Sequence, residues 1–198
     1  MRFWAGPPSG ILRRMNRLSC KRTIAAVTAT RAEYGLLRGL LQKIQASPAL
    51  ELRLVVTGAH LCGRLGRTVA EIEADGLPIA ARLPILDETC PDEPVARTIA
   101  RTIAVFDDEF AAHRPDAVLL LGDRFEIFAV AVAAAARHIP IAHISGGDVT
   151  LGAADESYRH CITKMAAVHF PSCADSAARL LRMGEAPDTV FCVGGLGD

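Results

Sequence analysis

Hydrophobic and polar positions follow two rhythms along this chain. Short apolar runs at residues 23–28, 51–57, 81–85, 117–121, 139–144, 168–170 and 190–193 have strand length. Between them, residues 36–45, 68–74, 95–112, 126–138, 156–165 and 174–183 carry apolar positions at helical spacing. Regular strand–helix alternation requires crossover connections, which predicts an α/β fold with a doubly wound, mostly parallel, Rossmann-like sheet. The unbroken run Ala117-Val118-Leu119-Leu120-Leu121 has no polar alternation, as expected of a strand buried on both faces. No repeat or low-complexity segment interrupts the pattern. The loop at 86–94, with Pro91, Pro94 and several acids, is expected to be the most mobile region.

The two ends depart from the pattern. Residues 1–20 contain Trp4, Pro7, Pro8 and four arginines but no apolar core of signal-peptide length, so they read as a flexible extension. Met15 is a second candidate start. The domain proper is then 21–198, and one core is the default for 198 residues. At the far end Val193-Gly194-Gly195-Leu196-Gly197-Asp198 reads as a strand entering a glycine-rich connection. That ending is expected either of a single-domain relative or, in the preferred reading, of the first half of a two-domain protein divided at its hinge.

Composition narrows the function classes. Twenty-two Lys+Arg balance 22 Asp+Glu, which leaves no basic field for a nucleic acid and requires any anionic ligand to be held locally. The longest apolar run, 127–136, falls short of the roughly 20 residues of a membrane span. Cys20, Cys62, Cys90, Cys161, Cys173 and Cys192 are scattered without a C-x-x-C pair, which suits a reduced, cytoplasmic protein.

Four strand ends carry the candidate chemistry, because a doubly wound sheet brings the carboxyl ends of its strands to one rim. After the first strand comes Thr28-Ala29-Thr30-Arg31-Ala32-Glu33-Tyr34-Gly35, which lacks the glycines of a dinucleotide turn. Arg31 could bind phosphate oxygens there, or pair with Glu33 on the surface. After the second comes Thr57-Gly58-Ala59-His60, in which His60 is either structural or ligand-facing.

The third segment, Leu121-Gly122-Asp123-Arg124-Phe125-Glu126, places an acid, a base and another acid at the end of a central strand. Asp123 is the leading catalytic candidate; the alternative is a helix cap. Arg124 would orient it, and Glu126 would serve that network or the helix dipole. The fourth runs from His143-Ile144-Ser145-Gly146-Gly147-Asp148 to Asp155-Glu156-Ser157-Tyr158-Arg159-His160 and Lys164. Its glycine pair makes a tight turn that aims Asp148 at the same cleft, while Glu156, Arg159, His160 and Lys164 share roughly one helix stripe. A metal site from His143, Asp148 and His160 lacks any recognised ligand spacing, and no metal or other cofactor is expected.

Taken in order, Arg31-Ala32-Glu33-Tyr34, Val56-Thr57-Gly58, Gly122-Asp123-Arg124, Gly146-Gly147-Asp148, the stretch from Asp155 to Met165, Gly184-Glu185 and Val193-Gly194-Gly195-Leu196-Gly197 resemble the hydrolysing UDP-N-acetylglucosamine 2-epimerases of sialic and legionaminic acid biosynthesis. The resemblance covers about Arg22 to the end and corresponds to the first half of that family. It implies a two-domain fold like the GT-B glycosyltransferases, with the active site between two Rossmann-like halves. It also implies a UDP-sugar substrate, release of UDP, inversion at C2 and homo-oligomeric assembly. The second domain would hold the UDP grip and a further catalytic histidine, so this half is expected to be inactive alone.

By that resemblance Asp123 and Asp155 match the family's catalytic acids, with Asp148 as a third candidate. Arg31 matches a cleft arginine, and His60, Arg124, His143, Ser145 and Arg159 complete the expected substrate-binding set. Two positions depart from the pattern. Ser145 stands where many members have Glu or His, which passes the burden of a base to Asp148 or His143. Asp148 stands where many have Glu, and one methylene can move a carboxylate by about an ångström. The substrate is expected to be a UDP-N-acetylglucosamine-type sugar; a UDP-2,4-diacetamido-2,4,6-trideoxyglucose, a GT-B-type glycosyltransferase half and a silent binding module are the alternatives.

Overall fold

The computed structural model describes residues 21–150, 152 and 154–197. The expected extension at 1–20, with Met15 and Cys20, and the final Asp198 lie outside the described residues. Six strands form one parallel sheet: β1 (Arg22–Thr28), β2 (Leu50–Thr57), β3 (Ile79–Leu83), β4 (Ala117–Leu121), β5 (Ile141–Ile144) and β6 (Val168–Phe170). Their order is β3-β2-β1-β4-β5-β6, with every neighbouring pair parallel. The chain therefore winds outward from β1 in one direction and from β4 in the other, which is the doubly wound arrangement expected.

Five α-helices cross between these strands, α1 (Arg31–Ala46), α2 (Val69–Ala74), α3 (Val95–Ala112), α4 (Phe125–Ala136) and α5 (Ala154–Met165), and a sixth, α6 (Ala174–Arg182), follows β6. Alternate residues of each strand serve opposite faces. Ala25, Val27, Val118 and Leu120 join Phe106, Phe110, Ile127, Val130 and Ile162 in one core. Ala26, Leu119 and Leu121 join Tyr34, Leu37, Leu41 and Ile72 in the other. Two covered faces explain the unbroken apolar runs. They also explain why α4 is apolar nearly all round, since it packs against the sheet side while touching both α3 and α5.

Element edges moved where local chemistry overrode periodicity. Helix α1 starts five residues before the apolar repeat because Thr30 and Glu33 form a capping box: Glu33 N–H donates to Thr30 Oγ1 at 3.4 Å, and Thr30 N–H to Glu33 Oε2 at 3.3 Å. Strand β5 starts after Pro140, which has no N–H to give but accepts from Val118 N–H at 2.9 Å. The strand expected at 190–193 does not form. Val190 makes a single bridge to His169, and Phe191 and Val193 stand exposed. The loop at 86–94 is cross-braced, with Glu93 paired to Arg101 at 2.6 Å and Glu88 accepting from Gly63 N–H at 3.1 Å.

Phe106 carries much of the first core, fully buried and edge-on to Phe110 at 5.7 Å between ring centres. Phe106→Ala should therefore cost about 3–5 kcal/mol. The expected reading is a lower urea midpoint at unchanged slope; a loss under 1 kcal/mol would mean the site collapses around the truncated side chain.

Candidate active site

The sheet reverses its winding between β1 and β4, and an open cleft of about 380 Å³ lies above that reversal. In open α/β sheets this is where ligands bind, because the loops leaving two neighbouring strands diverge to opposite faces. Thr30, Ala32, Glu33 and Leu36 of the α1 start form one wall. Leu121, Gly122, Asp123 and Arg124 at the end of β4 form the floor, and Ser145, Asp148 and Arg159 close the other side.

Arg159 organises that far side. Its side chain is 7% exposed, and the guanidinium donates to the Asp123 carboxylate, to Glu156 Oε2 at 3.0 Å, to the Asp148 carbonyl at 2.8 Å and to Thr150 Oγ1 at 2.8 Å. One planar fork thus joins β4, α5 and the loop after β5. Burial pushes the Asp123 carboxyl above its usual range, Arg159 pulls it back, and the nearby Asp155 charge raises it again. Asp123 is not a helix cap: Arg124 holds the cap position of α4, without a side-chain bond. Arg124 instead pairs with Glu126 at 3.0 Å and lies 3.9 Å from Glu33.

The glycine pair is a packing requirement. A Cβ on Gly147, at φ +81°, would run into the Ser176 carbonyl and come within 3.0 Å of Leu180, so α6 can approach only a glycine there. Ser145 takes a left-handed φ of 63° beside it, unusual for a residue with a side chain. Asp148 is then held by two hydroxyls near the start of α6: Ser172 and Ser176 donate to its Oδ1 at 2.8 and 2.6 Å.

Of the residues expected at the site, the cleft collects Asp123, Arg124, Ser145, Asp148 and Arg159. Asp155 sits in the first turn of α5, near enough for its charge to act on Asp123 and Arg124. Three other expected residues are placed outside the cleft lining. Arg31 does not line the cleft; its side chain is 73% exposed and pairs outward with Glu71 at 2.9 Å, a contact worth at most about 1 kcal/mol. His60 is wholly buried, bonded through Nε2 to Thr28 Oγ1 at 3.0 Å and through Nδ1 to Thr68 Oγ1 at 2.8 Å, so it supports the rim from beneath. His143 is buried too, and its Nε2 donates to the Gly122 carbonyl at 2.8 Å, which braces the turn that presents Asp123.

The helix stripe also divides. His160 Nε2 meets Glu156 at 3.3 Å, and Lys164 reaches Glu185 at 2.5 Å on the α6 side, so only Arg159 serves the cleft. Among the described residues, no group of three or more His, Cys, Asp or Glu is arranged to hold a metal, and His143, Asp148 and His160 do not converge. One charged cleft residue was missed by the sequence reading. Glu33 caps α1 and also forms the wall opposite Asp123, and the T-x-x-E spacing from Thr30 was the signal for it. Burial lifts its carboxyl to about 7 against the pull of the Ala29 N–H, with the Glu126 charge adding to the rise and Arg124 opposing it.

Comparison with known proteins places this geometry. A family described as UDP-N-acetylglucosamine 2-epimerase matches residues 42–197. A hydrolysing GDP/UDP-N,N'-diacetylbacillosamine 2-epimerase of Campylobacter jejuni is 42% identical over 176 residues, 89% of this chain and 46% of the relative. A hydrolysing UDP-N,N'-diacetylbacillosamine 2-epimerase of Legionella pneumophila is 41% identical over the same shares. The structure of a Neisseria meningitidis UDP-GlcNAc 2-epimerase bound to UDP-GlcNAc has a TM-score of 0.78 at 22% identity, covering 87% of this chain and 46% of that one. The chain spans about half the length of the curated relatives it matches.

Burial pushes the His60 imidazole down to about 4, so the unfolded chain, with its ordinary value near 6.5, takes up the proton first. Stability from neutral His60 is full above pH 6.5 and is lost as pH falls toward 4, by about 3 kcal/mol. The stability gap between this chain and His60→Gln should narrow by that amount from pH 7 to pH 4 in urea titrations. A constant gap would show that His60 takes up its proton as readily in the fold as in the unfolded chain.

Proposed function

This chain belongs to the UDP-N-acetylglucosamine 2-epimerase family, and from that premise we propose that it forms the N-terminal half of a hydrolysing UDP-sugar 2-epimerase. Its reaction converts a UDP-linked 2-acetamido sugar and water to UDP and the free 2-epimer, feeding the biosynthesis of sialic- or legionaminic-type acids. The observation that carries the reading is the meeting of Asp123, Asp148 and Arg159 in the cleft at the winding reversal, with the Asp155 charge acting on Asp123.

The chemistry asks for carboxylates in that place. C2–H is a poor carbon acid, so its proton leaves to a base while the C1–O bond breaks. The C–H electron pair becomes the C1=C2 bond, and UDP departs with the C1–O pair. Water then adds its oxygen to C1, giving up a proton to a carboxylate, while an acid returns a proton to C2 on the opposite face. Positive charge grows at C1 in both steps, and a nearby carboxylate stabilises it. Asp123, raised by burial, is suited to exchange a proton, with Asp155 as its partner across the sugar. Asp148, anchored by Ser172 and Ser176, is placed as an orienting acceptor, and Ser145 and Arg124 bind substrate.

A second Rossmann-like domain, facing this rim, would supply the uridine grip and close the cleft; the complete protein would work as a homo-oligomer in the cytoplasm. On substrate, the names of the 41–42% identical relatives favour a 2,4-diacetamido-6-deoxy sugar over UDP-N-acetylglucosamine. Two UDP-sugars offered in parallel to the whole protein decide that choice by their kcat/KM.

Asp123→Asn in the whole protein should keep the fold and reduce UDP release by more than about 10²-fold. Turnover within tenfold of the parent would remove Asp123 from the chemistry. In D₂O the free sugar should carry deuterium at C2. A product that retains its C2 proton and configuration, or that needs an acceptor, would mark the protein as a glycosyltransferase instead.

A further inference from the structure

Arg124 stands between two carboxyls of unequal commitment. It bonds Glu126 through Nε at 3.2 Å and through Nη2 at 3.0 Å, and Glu126 is 2% exposed. On the other side its Nε lies 3.9 Å from Glu33 Oε1, too far for a hydrogen bond. Glu33 Oε2 is fully occupied by the Ala29 N–H at 2.8 Å and the Thr30 N–H at 3.3 Å, whereas buried Oε1 has no partner. A buried carboxylate oxygen without a donor is costly, and a neutral carboxyl reduces that cost. The arginine meanwhile is about half exposed and lines the cleft.

We propose that Glu33 is a positioning residue that sets the availability of Arg124: as a neutral acid it leaves the guanidinium to an anionic group of the ligand, and as a carboxylate it draws the guanidinium back between itself and Glu126. The anionic group is the substrate's diphosphate, an identification that rests on the function proposed above. Burial places the Glu33 transition near neutral pH, and the charged groups around it act in both directions. Arg124 and Glu126 face it from α4, while Asp123, Asp148 and Arg159 share the cleft with it. On its own helix Arg31 is turned away toward Glu71. The diphosphate diester carries two negative charges throughout the pH range that matters, so the titration belongs to the protein.

In the whole protein KM for the UDP-sugar should rise about tenfold from pH 6 to pH 8.5 as Glu33 ionises. Glu33→Gln keeps an oxygen to cap α1 and cannot ionise, so the same rise should shrink to within about twofold. A Glu33→Gln variant with the parental KM slope overturns the proposal, because a capping role alone does not depend on pH in this range. Carbon-13 NMR of glutamate-labelled chain gives a second reading independent of turnover. The carboxyl signal lost in Glu33→Gln should titrate near pH 7, and titration below pH 5.5 overturns the proposal whatever the reaction. Failure of the whole protein to release UDP from any UDP-2-acetamido sugar would overturn the functional reading instead, with the Glu33 signal still deciding its own case.

Discussion

A buried guanidinium has to be paired on nearly every side, and Arg159 is that group in this protein. Its Asp123, Glu156, Asp148 and Thr150 contacts come from the end of β4, from α5 and from the loop after β5. Losing these contacts together would strand a charge away from water, which costs several kcal/mol, so the three segments are held to one geometry. The cleft owes its far wall to that requirement. Asp123 is held against a fixed partner rather than left free on a mobile turn.

The other supports are polar groups placed under the rim rather than in it. His143 bonds the Gly122 carbonyl from below, His60 ties Thr28 to Thr68, and Glu33 closes the start of α1. Burial disfavours the charged form of each, so both histidines are held neutral and Glu33 rises toward neutrality. The α6 side works by steric exclusion. Gly147 admits α6 closely, and the hydroxyls of Ser172 and Ser176 then reach Asp148. Charge in the cleft is thereby concentrated on a few anchored groups.

The fold was largely legible because a doubly wound sheet writes itself twice, in apolar runs buried on both faces and in the helical spacing between them. The failures occurred where a local device outranked periodicity. A capping box lengthened α1, Pro140 shortened β5, and residues 190–193 found one partner at the sheet edge. The winding reversal was harder to see, since strand order depends on which crossover packs on which face, and no local pattern records that.

The candidate site shows the same division. From the sequence alone came the rim, the segments that reach it and the acids Asp123, Asp148 and Asp155, because glycine turns at strand ends have few other uses. Three residues of similar promise, Arg31, His60 and His143, were separated only by the tertiary structure. Whether a side chain at a strand end points into a cleft, outward or beneath the rim is decided by the nearest group that can satisfy it. Glu71, Thr28 with Thr68, and the Gly122 carbonyl took those three. For Glu33 the outcome was reversed: a residue read as part of a surface pair became a cleft wall, because its capping bonds turn the carboxyl inward and burial then changes its charge. Residue type and spacing are local properties, whereas burial and partnership arise only when distant segments meet.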